Sequence, residues 1–156
     1  MDDYFDLGAY SWPVTTTSPA AQRWFHRGLL WCYGFNHEAA VACFERAAGL
    51  DPACAMAYWG IAYAGGPNYN LTWEDFGWEG GQRIAAKCHA ASQQALARLE
   101  GISPLEQGLI QALAHRYPAD HFANEAQFAA WNDAYTAAMR PVQQAFPDDD
   151  DVTTLC

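Results

Sequence analysis

The chain has 156 residues, 51% of them apolar, which is enough for one domain with a sizeable core and too few for a second. Thirty alanines against four valines and four isoleucines is helix-forming usage and argues against an all-β or parallel α/β fold. Of the 18 acidic residues behind the formal charge of -10, seven lie in residues 1–6 and 148–151, so the middle is near neutral; its cations are scattered, which argues against nucleic acid or an anionic membrane surface as partner.

Residues 1–17 are acidic, aromatic and threonine-rich without a helical period, and predict an extended leader lying on the body through Tyr4, Phe5, Tyr10 and Trp12. The domain proper is expected over residues 18–156. Ser18-Pro19 supplies an N-cap and a first-turn proline for a helix to about Tyr33, and the Gly34-Phe35-Asn36 turn leads into a second helix from about His37 to Gly49. Asp51-Pro52 separates that helix from a third, about Ala53 to Ala64. An irregular aromatic loop is expected at 65–80, with Gly65-Gly66 as a helix stop and Gly80-Gly81 as a restart. A fourth helix follows from about Gly81 to Glu100. Ser103-Pro104-Leu105-Glu106 reads as a capping box opening a fifth helix to about Arg116. A sixth, about Asn124 to Phe146, carries the apolar stripe Phe128, Trp131, Tyr135 and Met139, and Pro141 predicts a kink in it. Asp148–Asp151 offer N-caps to a helix that starts at Val152 and reaches Cys156 before two turns are complete.

Helix pairs of this length ask for a repeat search, and Trp24, Gly28, Trp31, Ala40, Phe44, Ala47 and Pro52 answer it. Small residues at 28 and 40 let two helices approach closely, the aromatics fill the space on either side, and Pro52 punctuates the step to the next pair. These seven positions, within residues 21–54, resemble the tetratricopeptide repeat. Arg27 stands where that pattern has leucine, so either the packing there differs or its stem snorkels. A weaker second copy begins at Ala55 with Tyr58, Ile61 and Ala62, and its two helices are separated by the loop. The stretches 33–40, 57–62 and 66–70 are similar to the N-terminal part of a larger tetratricopeptide-like family of fungi and bacteria. The resemblance implies an all-α fold of antiparallel helix pairs stacked as a right-handed solenoid. It also implies relatives that continue past Cys156, hence a domain truncated at its C-terminal end, with apolar surface bared near Phe146, Val152 and Leu155 and self-association through it. No reaction follows from it.

The familiar phosphate, acyl-transfer and zinc signatures are absent, and no two histidines stand at i, i+4, so neither a catalytic constellation nor a metal or other cofactor is expected. Five cysteines without a C-x-x-C pair read as free thiols; Cys32 and Cys43 are within reach of each other across the first hairpin, where buried thiols are preferred to a thiolate metal site. The acidic start lacks a signal peptide's basic region, and the longest weakly polar run, 13 residues from Cys54 to Gly66, falls short of the ~20 a membrane helix needs. A cytoplasmic protein is the expectation.

Two functions stay open. The first is a non-catalytic helical-repeat module for a protein or peptide partner, with aromatic anchoring preferred to an acidic tail because one lysine and seven arginines make a poor carboxylate clamp. The second is a small-molecule or metal binder, an enzyme or accessory factor of a metabolic pathway included, with its pocket between the first hairpin and the 65–80 loop. His37, Trp59, Asn68, Asn70 and Trp73 are the candidate binding residues. An open groove would favour the module, and a closed cavity lined by His37, Trp59, Asn68 and Asn70 the pocket. For the loop itself, a packed lid and a recognition site are both open, and its asparagines either tie it down or hold a ligand.

Overall fold

Local capping sets most of the helix starts. In the computed structural model, which describes residues 5–155, the Ser18 hydroxyl accepts from Ala21 N at 3.2 Å and opens α1 (Pro19–Tyr33). Asn36 Oδ1 does the same for α2 (His37–Leu50), accepting from Ala39 N at 3.1 Å. The capping box of Ser103 and Glu106 is complete at α5 (Pro104–Ala114). Between α1 and α2 the left-handed residue is Phe35, with φ +60°, and not Gly34, a strained choice for a side chain that stands 64% exposed.

Seven α-helices, one 3-10 turn and no strand are present among the described residues, an all-α protein as composition demanded. α3 (Ala55–Gly65) is apolar on every side and packs on α1, α2, α4 and α5. Each helix also packs on its neighbour in the chain, apart from α6 on α7 only thinly. The first pair meets through Phe44, which is fully buried with its ring over both Gly28 of α1 and Gly60 of α3. Ala40 and Ala47 are fully buried beside it.

The aromatic partners of that contact differ from the expected ones. Phe25, 5.4 Å from Phe44, and Leu29 are fully buried, whereas Trp24 and Trp31 are half-buried and pack against the edge of the core. Trp24 lies under the guanidinium groups of Arg46 at 4.4 Å and Arg27 at 5.6 Å, and Trp31 meets the edge of Phe5. Arg27 Nη1 reaches the Phe5 carbonyl at 3.1 Å, the snorkelling alternative of the two. Pro52 is exposed in the α2–α3 turn, and α3 starts at Ala55 rather than Ala53 because the Asp51 side chain holds the Ala53 amide outside the helix.

The loop is shorter than expected. A 3-10 turn, Glu74–Phe76, leads directly into α4 (Gly77–Leu96), with Gly77 in the left-handed region at φ +63°. Gly80-Gly81 is therefore no restart signal. Both lie inside the helix, where Gly81 leaves room for the Phe122 ring. Within the loop Trp73 alone forms a lid anchor: it is buried, stacked on Phe128 of α6 (Ala126–Ala145) at 4.9 Å and 5°, with Tyr117, Phe122 and Trp131 around its edges. Tyr69 is 93% exposed and Trp78 half exposed. α6 continues through Pro141 as one helix.

At the chain ends, side-chain contacts replace secondary structure. Residues 5–17 form no helix or strand and are tied to the body: Trp12 packs on Phe25, and the Thr15 amide and hydroxyl both bond the buried Glu106 carboxylate, at 2.6 and 2.5 Å. Tyr4, which the sequence also placed on the body, lies outside the described residues, as does Cys156. The expectation of a bare C-terminal surface is overturned. Val152 and Leu155 of α7 (Asp150–Leu155) are buried and Phe146 is half-buried, because Asp151 accepts from the hydroxyls of Tyr10 and Tyr33 and Tyr135 Oη donates to the Leu155 carbonyl at 3.3 Å. The apolar patch on which self-association rested is thus covered by the chain itself.

Candidate functional site

A helix end leaves backbone groups unpaired and forces the chain to turn, so places where several ends meet are natural sites for a cleft. Here the end of α1, the start of α2, the end of α3, the residues after α5 and the outer face of α7 converge around a half-open cleft of about 610 Å³. Its apolar walls come from Tyr63, Tyr135 and Leu155. Polar groups enter from His37, Asn68 and Arg116, and the exposed rings of Phe35 and Tyr69 stand at its edge.

Local geometry places each of these. Gly66 passes so close to the buried Tyr117 hydroxyl that no side chain would fit there, which pins the start of the loop to the body. Immediately beyond, the Pro67 carbonyl accepts from Arg116 Nη2 at 3.0 Å. Asn68 and Leu71 then pair through backbone bonds of 2.8 and 3.2 Å, and Asn68 Oδ1 accepts from Asn70 N at 2.9 Å, closing an Asx turn. That turn keeps Asn68 against the cleft and swings Asn70 out to solvent.

Among the described residues the cleft holds one permanent charge. Arg116 follows the α5 C-cap, His115, where carbonyl dipoles favour a cation, and its guanidinium lies 5.4 Å from the Tyr135 ring and 5.9 Å from that of Tyr117. Burial lowers the pKa of His37, so the imidazole is neutral at pH 7, and neither ring nitrogen has a hydrogen-bond partner among the described residues. Burial pushes the Cys32 thiol up to about 12, a protonated and unreactive sulfur. The Tyr33 hydroxyl is also held protonated, first by burial and then by its bond to Asp151.

Of the five candidate residues, the structure brings two together here, His37 and Asn68. Trp59 is buried in α3, stacked on Tyr63 at 5.0 Å, so it supports a wall from behind. Trp73 belongs to the aromatic cluster under the loop, and Asn70 faces water. Phe35, Tyr63, Arg116 and Tyr135 are site residues that sequence reasoning missed. Arg116 carries no local signal, since its loop partner lies 49 residues away; Phe35 was read only as part of the Gly34-Phe35-Asn36 turn between two helices.

A larger cleft of about 760 Å³ lies between the leader and α1, but its polar groups hold the leader in place: the His26 ring meets the Trp12 carbonyl at 2.9 Å and Gln22 at 2.6 Å, and Arg27 bonds the Phe5 carbonyl. Among the described residues no group of three or more histidine, cysteine or acidic side chains is placed to hold a metal. No described helix is long and apolar enough to cross a membrane. Comparison of the chain with protein-family models, curated proteins and solved structures finds no match.

Proposed function

We propose that the protein binds a small organic molecule in the cleft between the first hairpin and the 66–71 loop, on a helical-repeat scaffold of the tetratricopeptide kind. The scaffold part draws support from the tight Gly28–Phe44–Gly60 contact and from packing between alternate helices, α1 on α3 and α3 on α5, as stacked pairs require. The observation that carries the binding part is the convergence of His37, Asn68 and Arg116, from segments far apart in sequence, on one apolar-walled cleft of ligand size. Pocket walls are built this way when orientation of a guest matters: apolar area supplies affinity and a few polar groups fix the pose.

The test is native mass spectrometry of the gently purified protein beside an Asn68→Ala variant. A stoichiometric adduct, weakened in the variant while the fold melts normally, supports the reading. Loss of stability alone would show that Asn68 serves only to tie the loop down.

A second reading, a protein-docking module, is favoured by the exposed rim aromatics, Phe35 at 64% and Tyr69 at 93% exposure, the residue type that dominates interface hot spots. The two separate by position. Truncating Phe35 and Tyr69 to alanine abolishes docking of a protein, but only weakens a guest held inside by His37, Asn68 and Arg116.

A further inference from the structure

We infer that the guest is an organic monocarboxylate, with its acid group on Arg116 and its apolar body between Tyr63, Tyr135 and the rim; this rests on the cleft reading above. The guanidinium is oriented but not neutralised. Nη2 is occupied by the Pro67 carbonyl and the flat face by Tyr135, while Nε is buried and finds no acceptor among the described residues. Neither ion pair among those residues, Lys87–Glu45 or His121–Asp120, involves it. A half-buried cation held in place by a carbonyl and rings still lacks the counter-charge that makes such burial favourable.

The described carboxylates near this wall do not supply it. Asp151, on the α7 side, has its oxygens engaged by the hydroxyls of Tyr10 and Tyr33. Glu74 and Glu125 line a separate cleft of about 320 Å³ on the other side of Arg116 without pairing to it. Among the described residues, every other group lining the 610 Å³ cleft is neutral at pH 7, with no lysine, aspartate or glutamate among them. One cation matches one negative charge. A phosphate monoester would keep half its charge unmet in walls made of tyrosine and leucine, whereas a carboxylate matches the single charge of the guanidinium and leaves its hydrocarbon part to those walls.

The experiment titrates ¹⁵N-labelled full-length protein with 2-naphthoate, indole-3-acetate and octanoate, each beside its primary amide, and reads the backbone signals of Phe35, Asn68 and Tyr69. The expected result is that at least one acid shifts these signals and binds about tenfold or more tightly than its amide, the discrimination a charge-assisted hydrogen bond brings. Arg116→Gln should bring the acid-to-amide affinity ratio down to about one, and Arg116→Lys should restore part of it. Acid and amide binding equally in the cleft overturns the carboxylate assignment and leaves the cleft reading standing. If no probe moves the three signals at millimolar concentration, the cleft reading fails and this inference with it. The acid–amide comparison on the unaltered chain decides the matter even where an Arg116 variant does not fold.

Discussion

Replacing Gly60 with alanine should destabilise this protein even though alanine is the better helix former. In the middle of α3 the exchange gains roughly 1 kcal/mol from helix propensity. Against this, a Cβ at Gly60 would stand 2.5 Å from Cδ1 and 2.6 Å from Cγ of Phe44. Phe44 cannot retreat, being fully buried with Phe25 on one flank and Gly28 beneath, where a Cβ would likewise come within 2.6 Å. Overpacking of this kind costs about 1–3 kcal/mol, and the close approach to ring atoms at a backbone-defined position puts Gly60 at the upper end. The net is a loss of about 1–2 kcal/mol, or roughly 2–8 °C in Tm for a chain of this size. Gly49, exposed near the end of α2 with nothing near its missing Cβ, is the control: Gly49→Ala should gain up to about 1 kcal/mol. Differential scanning calorimetry of both variants, together with Phe44→Leu and the Gly60→Ala/Phe44→Leu pair, completes the test. The pair should lose less than the sum of the singles, because the smaller side chain vacates the space the new methyl needs. A rise in Tm for Gly60→Ala, or strict additivity in the pair, would refute the claim that this contact sets the spacing of α1, α2 and α3.

Other outcomes follow from the same packing and from the buried titrating groups. Ala40→Leu at its fully buried position in α2 should cost on the order of 1–3 kcal/mol in thermal denaturation; an unchanged melt would count against the α1–α2 interface. Trp73→Ala should cost about 3–5 kcal/mol by removing the ring that joins the loop to α6, and proteolysis should then cut within residues 66–76 first. At alkaline pH the unfolded tyrosines ionise near 10, while burial and the Asp151 carboxylate keep Tyr10 and Tyr33 protonated in the fold; the unfolded state then binds fewer protons, so stability falls above pH 10, and Asp151→Asn should make that fall shallower in urea titrations. On the acid side, burial lowers the His37 pKa, so below about 6.5 the unfolded chain takes up a proton the fold refuses; stability falls, and His37→Gln should reduce the slope, leaving the part due to His26.

Sequence by itself determined the local elements, because their causes are local. Ser18, Asn36 and the Ser103–Glu106 box cap helices through bonds spanning three residues, and small residues at 28 and 40 with a bulky ring at 44 carry their meaning in their spacing. His37 and Asn68 were legible as cleft residues for a similar reason, one opening a helix after a tight turn and the other opening the loop. What only the tertiary structure decided are contacts between parts that no local rule links. Gly80-Gly81 has the form of a stop signal, yet it serves as a close-approach site for Phe122, 41 residues away from Gly81 along the chain. The acidic end reads as a set of solvated caps until Asp151 meets two tyrosines, one from the leader and one from α1, and covers Val152 and Leu155. Arg116 and Pro67 meet across 49 residues, and the position of that guanidinium in the cleft depends on Gly66 yielding space to Tyr117. Helix formation is decided within a few turns of chain, whereas a cleft between helix ends depends on where those ends arrive, which is set by the packing of every helix in between.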